Sequence, residues 1–316
     1  FAPDVIHTNG FKMHVLGALA KPRAAALVCH IHDFVSSRPV MAQLLRRLSG
    51  FCDMAVANSG AVAADVRAVC GERVEVKALH NAVDLERFSA TGPSVELDGL
   101  AGMRPSVPDT IRIGLVATLA RWKGHETFLR AMSLLPRDLP VRGYIVGDAI
   151  YQTDGSQHSL AELRALANKL GVADRLGFTG FINDSATAMR ALDVMVHAST
   201  EGERFGLVIA EATACGKAII ASENAGATEL MRDGMDFVSH DASDSLSLAV
   251  QITHLVADAN LRKRLGARAR ATAERVFDRT RLATELLPLY QTFVAQTEVH
   301  TEKLEIRELF SLTSDI

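Results

Sequence analysis

Long apolar runs, paired cysteines and an excess of positive charge are all missing from this 316-residue chain. No stretch approaches the roughly 18 consecutive apolar residues of a membrane-spanning helix, so the chain is expected to be soluble. The four cysteines, Cys29, Cys52, Cys70 and Cys215, include no C-x-x-C pair and no regular framework. That argues against a zinc ribbon or a disulfide scaffold and for reduced thiols in a cytoplasmic setting. Lys and Arg total 34 against 37 Asp and Glu, a formal net charge of −3, so no global positive field is available to hold nucleic acid. What is present is ordinary globular composition, 48% hydrophobic and 22% charged, far from the signature of disorder.

Short β-branched runs alternate with helical patterns, the signal for βαβ units around parallel sheets. Strands are expected at Asp4–His7, Ala26–His32, Met54–Asn58, Val74–Leu79, Ile111–Thr118, Val141–Val146, Val194–His197 and Ala218–Ala221. The clear helices are Met41–Leu48, His125–Leu135, Leu160–Leu170, Ser185–Leu192, Gly206–Ala214, Asp244–Ala257, Asn260–Val276 and Arg279–Val294. Ser89–Asp109 holds three prolines and three glycines without a period and reads as a linker region. The expected division is a partial Rossmann-like domain over 1–92, a linker over 93–109 and a complete Rossmann-like domain over 110–278. A helix over 279–296 returns to the first domain, and 297–316 is a tail without an assigned role.

The most informative segment runs Glu201-Gly202-Glu203-Arg204-Phe205-Gly206-Leu207-Val208-Ile209-Ala210-Glu211. Glu203 falls in the loop after the strand Val194–His197, and Gly206 opens a helix. The unpaired N–H groups of Gly206, Leu207 and Val208 would then favour a phosphate or sugar oxygen. Glu211 lies roughly 7 Å along the axis. Two carboxylates would flank one anion-favouring helix end, suited to accepting hydrogen bonds from two sets of hydroxyls. Arg121 and Lys123 sit at the junction between the strand Ile111–Thr118 and the next helix, where open α/β sheets bind ligands. His30-Ile31-His32-Asp33 closes another strand with both histidines on one face. A satisfied strand-end histidine, a cleft residue and a metal ligand all remain open readings for this pair.

The string from Glu203 to Ser222, followed by Gly226-Ala227-Thr228-Glu229-Leu230, closely resembles the signature of family-four retaining glycosyltransferases of the GT-B fold. The resemblance covers about residues 3 to 295. It implies two Rossmann-like parallel-sheet domains facing a cleft, the first of them truncated. It places Glu203 at the donor sugar and Glu211 on the nucleotide ribose. His32, in a His-Asp pair similar to the family's, becomes the candidate contact to the sugar or acceptor. Lys123-Gly124 matches the family directly, but Thr118 stands where the family has Arg, so Arg121 is taken locally as the second cation. Arg204 stands where Pro is frequent. Gly147 and Phe181 or Ile182 are candidates for approaching the nucleotide and its base, and Phe205 belongs to the donor loop. Asn58-Ser59 and Asn81-Ala82-Val83-Asp84 also resemble family landmarks, the latter read as structural.

The function implied is hexosyltransferase-like transfer from a nucleoside-diphosphate sugar to an acceptor hydroxyl with retention, without metal or other cofactor. No Asp-x-Asp occurs to hold a divalent cation. Catalytic residues would be Glu203, His32, Lys123 and Arg121; donor-binding residues Glu211, Phe205, Gly206, Leu207, Val208, Gly147, Phe181 and Ile182. The acceptor, whether saccharide, lipid-linked glycan or small molecule, is left open. Two alternatives stand beside this reading: a nucleotide-sugar-binding module without turnover, and a metal hydrolase centred on His30 and His32. The chain starts Phe1-Ala2-Pro3-Asp4 without an initiator Met, so a preceding segment is expected to be absent. Any peripheral contact with the inner face of a membrane is assigned to that segment.

Overall fold

A computed structural model describes residues 2–150, 155–223 and 225–295; the expected tail over 297–316 lies outside them. The described residues form two compact units, one of residues 2–81 with 280–295, the other within Ala82–Arg279.

The first unit carries β1 (Val5–Asn9), α1 (Phe11–Ala20), β2 (Ala26–Ile31), α2 (Pro39–Leu48), β3 (Met54–Ala57), α3 (Gly60–Cys70) and β4 (Glu75–Ala78). Its four strands lie parallel in the order β1-β2-β3-β4. Parallel strands are covered on both faces, which is why β2 and β3 read as nearly unbroken apolar runs. One face packs against α1–α3 through Leu27, Cys29, Ala55, Val62 and Val66. The other is covered by residues 281–295, which are helical and place Leu282, Leu286, Leu289, Tyr290 and Phe293 against Ala26, Val28, Met54 and Val56. Arg281 donates to the carbonyl of Asn81 at 3.0 Å and also to that of His80, fixing the start of this helix.

The second unit carries α4 (Leu97–Leu100), β5 (Ile111–Val116), α5 (His125–Leu134), β6 (Val141–Val146), α6 (Leu160–Lys169), β7 (Leu176–Gly180), α7 (Ser185–Ala191), β8 (Val194–His197), α8 (Leu207–Ala214), β9 (Ala218–Ser222), β10 (Val238–His240), α9 (Ser245–Ala257) and α10 (Ala259–Val276). The sheet order is β10-β9-β8-β5-β6-β7, all parallel. From β5 the chain winds outward through β6 and β7, then returns to place β8 on β5's other side. The β5/β8 boundary is therefore the topological switch point, where successive loops diverge and leave a crevice at the strands' carboxyl ends.

Three helices and two strands were not anticipated. α1 is apolar almost throughout, so it has no amphipathic period to read. α3 is rich in Ala and Val and begins at a glycine; Ser59 caps it by accepting the Val62 N–H at 3.1 Å, a structural role for the Asn58-Ser59 landmark. β7 contains two glycines and β10 is only three residues long. Residues 93–109, expected as a linker, belong to the second unit. They wrap a buried carboxylate: Asp98 accepts from Tyr144 at 2.6 Å, Arg142 at 2.5 Å and the Ser106 N–H at 2.8 Å. Proline and glycine there shape turns around that anchor. Among the described residues no helix is long and apolar enough to cross a membrane.

Buried histidines make the fold acid-sensitive. His125 is fully buried, and burial, aided by His158, pushes its imidazole down to about 3. In the unfolded chain it titrates near 6.5, so the folded state binds fewer protons between these values. The stability present above about 6.5 is accordingly lost as pH falls toward 3. The thermal midpoint is expected to drop progressively from pH 7 to 4, and His125→Leu is expected to flatten that slope. An identical slope in the variant refutes the assignment.

Candidate functional site

Two loops leave the sheet at the switch point. One follows β5 and carries Arg121, Trp122, Lys123 and Gly124; the other follows β8 and carries Ser199 through Gly206. They are stitched together. The Thr200 N–H donates to the Trp122 carbonyl at 2.8 Å, and Gly124, at φ +74°, lies so near the Ala198 carbonyl that an added Cβ would sit 1.8 Å from its oxygen. Only glycine fits that crossing.

The Glu203 backbone is held from below, its carbonyl accepting from the Gly226 N–H at 3.2 Å, while the Phe205 carbonyl accepts from Ala227. The Glu203 side chain is 9% exposed. Its Oε1 pairs with Lys123 Nζ at 2.5 Å. Its Oε2 accepts from Ser199 Oγ at 2.8 Å and from His197 Nε2. His197, itself buried, meets Ser222 Oγ at Nδ1 at 3.1 Å, and its carbonyl meets His240 Nε2 at 3.1 Å. Burial alone would raise the Glu203 carboxyl, but the His197 hydrogen bond and the charges of His197 and Lys123 outweigh it and hold the carboxyl far below the usual range.

Glu211, one helix away in the same motif, behaves oppositely. Burial pushes its carboxyl up to about 7, with only the more distant Arg87 opposing. No hydrogen bond to that carboxylate is seen among the described residues. Helix α8 begins at Leu207, one residue later than expected, because Gly206 takes a positive φ and caps the helix without a side-chain hydrogen bond. The first amides of α8 thus lack an internal partner beside the Lys123–Glu203 pair.

Several expected site residues lie elsewhere. Arg121 turns to the start of α6, donating to the Gly155 carbonyl at 3.0 Å and Glu162 at 3.2 Å and meeting His158 Nδ1 at 3.2 Å. Phe205 is buried and stacks edge-on with Phe277, ring centroids 6.1 Å apart, so its side chain anchors the loop from inside the core. Val208 is partly buried against the same core, and Leu207 is exposed. Gly147 presses on the chain just past β5, an added Cβ falling 1.9 Å from the Ala117 oxygen. Ile182 packs beside Leu97 and Tyr144, whereas Phe181 is 63% exposed and is the one of the two free to meet a planar ring. Asp84 accepts from the Glu86 and Arg87 N–H groups and pairs with Arg279 at 2.6 Å, a structural part.

His32 belongs to the first unit. It stacks on His30 at 4.2 Å and borders a pocket of about 410 Å³ with Asn9, Gly10, Phe11, His14 and Asp33. Burial, then the neighbouring His32 and His7, pushes His30 down to about 3, and burial also lowers His32. Among the described residues no group of three or more His, Cys, Asp or Glu is placed to hold a metal ion. His197, Ser199, Ser222, His240 and Trp122 were missed. The signal for His197 was available, since a polar residue closes an apolar strand there just as His30 and His32 close β2.

Comparison with known proteins identifies the family. Residues 105–272 match the family described as Glycosyl transferases group 1, and residues 1–87 match Glycosyltransferase Family 4. The chain is 32% identical over 257 residues to D-inositol 3-phosphate glycosyltransferase of Xylanimonas cellulosilytica, covering 75% of this chain and 58% of that protein. It is 30% identical over 248 residues to the lipopolysaccharide core biosynthesis glycosyltransferase LpsE of Rhizobium meliloti, covering 77% and 66%. The chain thus spans about three fifths to two thirds of these relatives' length. Among solved structures, Anabaena Alr3699/HepE in complex with UDP superposes with a TM-score of 0.82 at 28% identity, covering 92% of this chain and 79% of that one. The same protein has been solved with UDP-glucose. The two parallel-sheet Rossmann-like units are those of the GT-B glycosyltransferases.

Because Glu203 is nearly buried, removing its partner leaves an uncompensated charge. Lys123→Met is expected to destabilise the second unit by up to about 3 kcal/mol in thermal or urea unfolding, at the low end for a buried pair because Lys123 keeps 15% exposure. Adding Glu203→Gln is expected to restore part of that loss, and strictly additive single-variant effects would contradict the coupling.

Proposed function

The chain belongs to the glycosyl transferases group 1 family, and on that premise we propose that it transfers a sugar from a nucleoside-diphosphate sugar to an acceptor hydroxyl with retention of anomeric configuration. The observation that carries this reading is the Lys123–Glu203 pair at the switch point, beside the uncapped start of α8. The diphosphate recruits Lys123 and the first amides of α8, which oppose the charge that grows on the leaving group. Lys123 is then shared or withdrawn from Glu203 Oε1. That oxygen becomes available to sugar hydroxyls, while Oε2 stays clamped by His197 and Ser199. Glu211 accepts from the ribose hydroxyls, and Phe181 offers its exposed ring to the base.

In the transfer step the bond from the anomeric carbon to the phosphate oxygen breaks, and the acceptor oxygen bonds to that carbon on the same face. The acceptor proton passes to the departing phosphate oxygen. Neutralisation by Lys123 and the helix end fills the role that a divalent cation would otherwise serve, so no added metal is required. A uridine nucleotide is the first donor to test, because Alr3699/HepE has been solved with UDP-glucose. We propose His32 as the candidate contact for sugar or acceptor.

Two measurements test the reading. Transfer from a panel of UDP-, GDP- and ADP-sugars is expected to fall at least about 100-fold in Lys123→Ala and Glu203→Gln; undiminished transfer in both would sink it. Donor binding should also depend on pH through Glu211. Ribose hydroxyls donate to the ionised carboxylate, so binding favours loss of the proton that Glu211 holds below about 7. Affinity for a UDP-sugar, whose phosphates do not titrate in this range, is expected to weaken as pH falls from 8 to 6. Glu211→Gln is expected to bind more weakly and without that dependence, and a pH-dependent variant matching the parent would count against the role.

A further inference from the structure

The chain has a net charge of −3, yet α10 holds six cations against one carboxylate, Glu274. Two of the six are committed. Arg262 donates to the Leu255 and Val256 carbonyls, and Arg270 to Glu274 at 2.8 Å and to the Phe88 and Ala214 carbonyls. Lys263, Arg264, Arg268 and Arg275 are exposed and make no side-chain hydrogen bond or ion pair among the described residues. At 3.6 residues per turn, Arg264, Arg268 and Arg275 share a strip about 40° wide and roughly 16 Å long, with the small side chains of Ala267 and Ala271 beside them. Unpaired like charges one turn apart cost the helix stability, and only a counter-charge from outside relieves them.

Arg264 and Arg268 also border a surface cleft of about 480 Å³, whose other walls include Met235, Leu261 and Leu265. The carboxylates of the facing turn are occupied. Asp236 is buried and pairs with Arg232, while Asp233 accepts from the Ser239 N–H at 2.8 Å and its Oγ at 2.7 Å. Met235 of that turn is 41% exposed, so an apolar side chain stands beside the cationic strip.

We propose that this face of the second unit docks on an anionic phospholipid surface, with Arg264, Arg268 and Arg275 on lipid phosphates and Met235 entering the boundary between headgroups and acyl chains. A bilayer offers both kinds of partner side by side, negative charge spread over a plane and an apolar layer just beneath it. A free phosphate would fill the cleft but leave Arg275 and Met235 unused. Nucleic acid would meet no aromatic ring among the residues lining the cleft on which to stack a base.

The test is sedimentation of the full chain with vesicles of phosphatidylcholine, alone or with about a third of phosphatidylglycerol, after matched thermal unfolding curves confirm that each variant folds. The parent is expected to prefer the anionic vesicles, less so as salt is raised. The double variant Arg264→Gln with Arg268→Gln is expected to lose at least about tenfold in partitioning, and Met235→Ser about threefold. A charge-matched control on other helices, Arg130→Gln with Lys169→Gln, is expected to stay within about twofold of the parent. No preference for anionic vesicles in the parent, or equal losses in the double variant and the control, overturns the proposal. So does displacement from the vesicles by millimolar glycerol phosphate, which marks a site for free phosphate, or tighter binding to duplex DNA with the same dependence on Arg264 and Arg268. Should the double variant fail to fold, Arg268→Gln alone decides, with a loss of about threefold expected. No nucleotide enters the experiment, so its failure leaves the transferase reading untouched.

Discussion

A carboxylate on a side chain only 9% exposed stays ionised only if its surroundings replace the water it has lost, and in this protein that requirement organises the switch point. Glu203 needs donors on both oxygens. Lys123 must come from the loop after β5, Ser199 from the loop after β8, and His197 from the end of β8 itself. Those sources can converge only because β5 and β8 are neighbours in the sheet. The strand order, the glycine crossing at Gly124 and the Thr200–Trp122 hydrogen bond are the structural conditions that let one carboxylate be buried and charged at once.

The partners on the two oxygens differ in how easily they can leave. His197 is locked by Ser222 and lies behind the strand end, so Oε2 is held whether or not a ligand is present. Lys123 is a flexible chain whose ammonium can serve either a carboxylate or a phosphate. A glycosyltransferase of this family meets a dianionic diphosphate and an uncharged sugar in adjacent places. On the proposed reading, a cation that moves from carboxylate to phosphate frees Glu203 Oε1 at the moment that the phosphate is bound. The buried polar network therefore supplies orientation more than stability, since ion pairs removed from water return little net free energy.

The sequence was most legible where the physics is local. Alternation of short apolar runs with amphipathic stretches located eight of the ten strands among the described residues, and Val141–Val146 and Val194–His197 were placed to the residue. Fully buried strands such as Ala218–Ser222 announce themselves because both faces must be apolar. The period fails for α1, whose residues are apolar on every side, and for β10, too short to show one. Glu203, Glu211 and Lys123 were legible because their spacing is set by one loop or one helix. Arg121 was misplaced because local position says where a side chain starts and not which way it turns. Only the three-dimensional arrangement reveals that the start of α6, with Glu162, claims it. His197 and Ser222 are 25 residues apart and meet only through β8–β9 pairing, so no motif contains them both.

The two glutamates of the motif make the same point in energetic terms. Both lose water, and loss of water raises a carboxyl in each case. Glu203 ends far below the ordinary value because the protein supplies its donors, while Glu211 ends near 7 because the protein supplies none to its carboxylate. One carboxylate is thus finished in the unliganded fold and the other is incomplete. An incomplete acceptor, half-buried on α8, gains most from a ligand that brings hydroxyl donors of its own, and binding such a ligand must be coupled to release of a proton. Environments that push paired carboxyls apart are how a site divides its labour. Here the division separates a preorganised carboxylate from a receptive one, and it arises from the hydrogen bonds that each glutamate does or does not already have.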